Sequence, residues 1–89
     1  DKKEQRQLAA AKRQRLAPLK NKEKKLEKAI EKIQTDLEKI KQDLANEELY
    51  QEVNKNNLTD VLQREGALKS ELEATEAEWF SIQQEIEAN

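Results

Sequence analysis

Leu26, Ile30, Ile33, Leu37, Ile40 and Leu44 follow one another at steps of four, three, four, three and four. One apolar residue per 3.5 positions is the seam of a coiled-coil helix, buried against a second helix along a narrow line. A second seam follows in Leu58, Val61, Leu68, Leu72, Trp79, Ile82 and Ile86. Between them the repeat fails, and these two lines leave few ways for the chain to fold.

Composition narrows the choice further. Of 89 residues 35% are hydrophobic and 40% charged, with one Phe, one Trp and one Tyr. Too little apolar surface is available to offset the ordering cost of a compact globule. Disorder or an extended helical assembly remains, and the sustained heptads with a single Gly and a single Pro favour the assembly. The expected fold is all-α: a two-helix antiparallel coiled-coil hairpin, preceded by a basic N-terminal helix with a break or kink at Pro18.

Residues 1–17 read as a basic helical linker and residues 18–89 as the hairpin, with arms at 18–45 and 55–88 and a tip at 46–54. Asp1 to Arg15 is rich in helix formers but has almost no apolar face, so its first residues are expected to fray. Pro18 lacks the N–H that the carbonyl of Gln14 needs and biases Ala17 away from helical angles, which predicts a break or sharp bend there. Asn46 is a candidate helix stop in the left-handed conformation, and Asn54, Asn56 and Asn57 are candidate caps for the second arm. Gly66 lies off the seam.

A short connection favours pairing the two arms with each other. Facing residue numbers should then sum to about 105, which sets Leu44 with Val61, Ile33 with Leu72, Leu26 with Trp79 and Glu23 with Ile82. Each polar seam residue meets an apolar one, with the Trp79 ring beside the Glu23 layer. Flanking charges agree in part: Lys22 can meet Glu85 and Asp43 can meet Arg64, but Asp36 faces Glu71. Leu49, Tyr50 and Leu58 are expected to close the tip. The alternative is two chains zipped in parallel, but the first seam has no buried Asn to specify one, so a monomer is expected.

No residue set for catalysis is present. Without His or Cys there is no triad base, thiol nucleophile or thiolate metal site, and one glycine cannot build a phosphate loop. Glu23, Glu27 and Glu31 share a helical face but are interleaved with lysines, which reads as solvated surface and not as a metal site. No apolar run is long enough to span a bilayer and no signal-peptide pattern is seen, so no membrane partner is expected. The absence of methionine leads us to expect a domain of a longer chain.

The net charge of -2 conceals two opposed regions. Residues 1–25 hold ten Lys or Arg against three acidic residues, and residues 26–89 hold seven against sixteen. Lys2, Lys3, Arg6, Lys12, Arg13 and Arg15 cluster before Pro18, Lys20, Lys22, Lys24 and Lys25 come just after it, and Lys28 extends the group up the first arm. Such a cluster suits a phosphate backbone, where neutralisation releases counterions irrespective of sequence. No aromatic side chain stands near it to stack on bases. A solvated coiled-coil exterior is the competing reading, favoured for Lys28, Lys32 and Lys39 with their acidic neighbours, whereas nucleic-acid contact is favoured for the denser cluster between 12 and 25.

Three landmarks carry a family resemblance: the entry Arg15-Leu16-Ala17-Pro18-Leu19-Lys20 followed by Leu26-Glu27, the tip Leu44-Ala45-Asn46-Glu47-Glu48-Leu49-Tyr50, and Glu78-Trp79 on the return. With these the chain, from about Ala10 onward, resembles the C-terminal coiled-coil domain of ABC-F family ATPases. It departs from that pattern at Asn46, Glu47 and Glu23. The resemblance implies a cytoplasmic parent protein with two ATP-binding cassettes before this segment, acting on the ribosome in translation, with ATP and Mg bound by the cassettes and no cofactor here. It also implies a non-catalytic appendage that binds nucleic acid, ribosomal RNA or DNA. Two other readings stay open: a structural spacer or protein-docking arm, and a tRNA-contacting helical arm of a synthetase.

Overall fold

The computed structural model describes all 89 residues and contains helices and no strands. Helix α1 spans Lys2–Leu44 and helix α2 spans Lys55–Ala88. Two short 3-10 turns, Glu47–Tyr50 and Glu52–Asn54, connect them. The two long helices form an extended, hairpin-like rod of 75 × 15 × 13 Å. The Trp79 indole Nε1 donates to Glu27 Oε1 at 3.3 Å, and Lys22 Nζ lies 3.3 Å from Glu78 Oε1. These contacts, between residues far apart in sequence, hold the two long helices side by side.

Burial follows the seam residue by residue. Every position of the two heptad lines, from Leu16 to Leu44 and from Leu58 to Ile86, is buried or half-buried. Full burial is confined to Leu16, Ile33, Ile40 and Ile82, with Ile33 and Ile40 at 4% exposure. A pair of helices offers only one face each, so most seam residues keep one flank in water. Polar seam residues are accommodated individually. The Thr75 hydroxyl donates to the carbonyl of Glu71 at 2.7 Å, and Glu65 lies 3.8 Å from Lys69. The Trp79 ring takes its hydrogen-bond partner from Glu27 and not from Glu23.

The expected break at Pro18 is not there. Helix α1 passes through Pro18 unbroken. The narrow cross-section also excludes a sharp bend: some 17 residues span about 25 Å, so a 45° turn would carry the end roughly 18 Å sideways. Two features explain the continuity. Leu16 is buried and Leu19 half-buried, so packing holds the chain on both sides of the proline. Pro18 and Gln14 are themselves exposed, so water can satisfy the carbonyl that Pro18 leaves unpartnered. Residues 2–15 are helical as well, with the Lys3 N–H donating to Asp1 Oδ1 at the cap.

The tip departs from expectation in three details. No residue adopts a positive φ, so α1 does not end on a left-handed Asn46. Asn46 is extended at φ -80° and ψ 115°, and its Oδ1 accepts from the Glu48 N–H to start the first 3-10 turn. Asn54 precedes α2 but makes no side-chain cap: its Nδ2 donates to the Glu48 carbonyl at 2.9 Å, stapling the loop across itself. Leu49 and Leu58 are half-buried, whereas the Tyr50 ring is exposed and only its hydroxyl is fixed, donating to the Leu44 carbonyl at 2.6 Å. That bond satisfies one of the carbonyls left open where α1 stops.

Candidate nucleic-acid interface

Helix α2 ends near the level of Leu16, the first buried residue of α1. Residues 2–15 of α1 therefore extend past α2 by about 20 Å with no helix beside them. In this overhang every residue is exposed except Ala10, which is half-buried. Lys12, Arg13 and Arg15 stand on it. Lys20, Lys22, Lys24, Lys25 and Lys28 continue along the first paired turns, all exposed.

Continuity through Pro18 turns two patches into one. Arg6, Arg13 and Lys20 are spaced by seven residues and share one edge of the helix, about 10 Å apart. Arg6 therefore belongs with the candidate residues. Its spacing was visible in the sequence, but a break at Pro18 would have separated it and Arg13 from Lys20.

The charges in this region are largely uncompensated. The chain contains three ion pairs: Lys22 with Glu78, Lys32 with Asp36, and Lys69 with Glu65. Lys22 thus meets Glu78 and not Glu85, and Asp43 forms no ion pair with Arg64. Of the eight candidate residues only Lys22 is paired, so seven cations face solvent without a carboxylate. Lys20, Lys24 and Lys28 also repeat at four-residue steps, which places like charges side by side and costs about 0.2–0.5 kcal/mol per pair. Each of these lysines has a glutamate three residues on, at Glu23, Glu27 and Glu31, so part of that cost is offset along the helix.

The remaining candidate residues lie elsewhere. Leu49, Tyr50 and Leu58 are at the tip, at the far end of the rod from the overhang, and Trp79 borders a shallow groove of about 280 Å³ with Glu27, Ile30, Glu31, Gln34 and Glu76. Three of its six lining residues are Glu, so the groove is acidic. No group of three or more His, Cys, Asp or Glu is arranged to hold a metal ion, and no helix is long and apolar enough to cross a membrane. No protein-family model, no curated protein and no solved structure matches this chain.

Proposed function

We propose that this chain is a non-catalytic, nucleic-acid-binding arm: an antiparallel coiled coil that holds a basic helix clear of its own acidic body. The observation that carries this reading is the set of seven unpaired cations along one unbroken helix, from Lys12 to Lys28. They span about 24 Å, a stretch over which duplex DNA presents on the order of 14 phosphates. Long flexible side chains without aromatic neighbours suit backbone contact and not base reading. The resemblance to ABC-F C-terminal domains supports the same role, with ribosomal RNA or DNA as the polymer and a cytoplasmic ATPase as the parent.

A titration against ribosomal RNA and duplex DNA over a range of salt tests the reading, beside a variant carrying Arg13→Glu, Arg15→Glu, Lys20→Glu and Lys24→Glu. Affinity should fall steeply with salt, depend little on sequence and be lost in the variant. No binding to either polymer at low salt would overturn it.

The docking-arm reading draws on the tip, where Tyr50 is 57% and Val53 86% exposed. It predicts the opposite pattern: function survives the charge reversals and is lost on substituting Leu49 and Tyr50.

A further inference from the structure

The two ends of the basal region carry matched features. Leu8 on the overhang is 70% exposed and Phe80 on α2 is 57% exposed, so each leaves much apolar surface in water. Leu8 lies eight residues beyond Leu16, and Phe80 lies nine residues inside Asn89. With α2 ending near the level of Leu16, the two side chains sit about 12 Å and about 13 Å from that level, in opposite directions. A two-fold axis crossing the rod there brings Leu8 of one copy to the height of Phe80 of another, and the reverse contact forms at the same time.

Charge agrees with this placement. Residues 1–15 carry six Lys or Arg against two acidic residues, whereas residues 71–88 carry six Glu and no base. Lys12 and Arg15 stand one and two turns from Leu8 on its face of the helix. Glu87, seven residues after Phe80, lies about 3 Å inside the end of α2 and so falls between the heights of Lys12 and Arg15 on the other copy's overhang, about 6 Å and about 2 Å from the same level. Beside Phe80, α2 presents Ala77 and Ser81, which leave room for a close approach.

We propose that two copies of this chain associate base to base about a two-fold axis, each overhang lying along the C-terminal half of the other copy's α2. Each hairpin keeps its seam closed within itself, so the interface uses only outer surfaces and differs from a parallel zipper. It covers Lys12 and Arg15, so a second copy and a polyanion compete for the overhang. The association itself involves no nucleic acid, and its test stands apart from the binding titration above.

Sedimentation of the 89-residue chain at up to about 0.1 mM decides it. Three samples are compared: the unaltered chain, a variant with Lys12→Glu and Arg15→Glu, and a variant with Glu87→Lys. The unaltered chain should dimerise at about 0.05 M salt and weaken by at least tenfold at about 0.5 M. Each variant alone sets like charges against each other and should be monomeric. An equimolar mixture of the two restores opposite charges at both contacts and should dimerise again. Circular dichroism checks that all three keep their helix content, since every altered side chain is exposed. A monomeric unaltered chain, a dimer that persists in either variant alone, or a mixture that stays monomeric would each overturn the proposal.

Discussion

Residues 2–15 and residues 16–44 belong to the same helix, yet different physics holds them. The second stretch buries or half-buries one side chain in every three or four, and each fully buried Leu or Ile contributes about 1.5–3 kcal/mol. The first buries none and rests on helix propensity and one cap at Asp1. It also carries like charges near its N-terminus, where the helix dipole disfavours cations. The lesson is that continuity of secondary structure is not continuity of stability. The supported stretch serves as a rod, and the unsupported one is the part left free to meet something else.

Truncating a seam residue breaks the supported side most severely. Ile33→Ala should lower unfolding stability by about 2–4 kcal/mol, because a residue with 4% exposure leaves a cavity, whereas Leu8→Ala should shift the melt by less than about 0.5 kcal/mol. Equal losses in dilute thermal melts would erase the distinction. Next in size is Pro18→Ala, which restores the hydrogen bond to the Gln14 carbonyl and should raise stability by about 2 kcal/mol, with a gain of helix signal in the overhang. Gly66→Ala should stabilise by about 1 kcal/mol, since a Cβ there meets nothing within 4 Å, and denaturant titration would register it in α2 alone. The smallest effect is expected at Lys22→Gln. Its partner Glu78 and Lys22 itself are each about half exposed, so losing the pair should cost under about 1 kcal/mol.

The fold was legible where burial dictates it. The spacing of Leu26 to Leu44 and of Leu58 to Ile86 identified every half-buried seam position, because a 3.5-residue repeat has one geometric meaning once two helices lie side by side. The break expected at Pro18 does not form, because the packing of Leu16 and Leu19 on either side of it outweighs the local backbone preference. Asn46 and Asn54 were assigned caps from their residue type, but side-chain amides can bond in several directions, and the crossing of the loop chose the Glu48 N–H and carbonyl instead. Lys22 took Glu78 over Glu85 because long exposed side chains reach more than one partner at nearly equal cost. The basic cluster was plain as composition. Its unity along one helix edge from Arg6 to Lys20 was not, since it depends on the helix surviving the proline.

Residue-resolved amide hydrogen exchange, with and without duplex nucleic acid at low salt and dilute chain, tests the central claim most directly. In the free chain, amides of residues 26–44 and 58–86 should be strongly protected and those of residues 6–15 weakly. Added nucleic acid should raise protection across residues 6–28 and leave the tip unchanged. Protection that is uniform along α1, or that rises at residues 46–54 instead, would contradict the account.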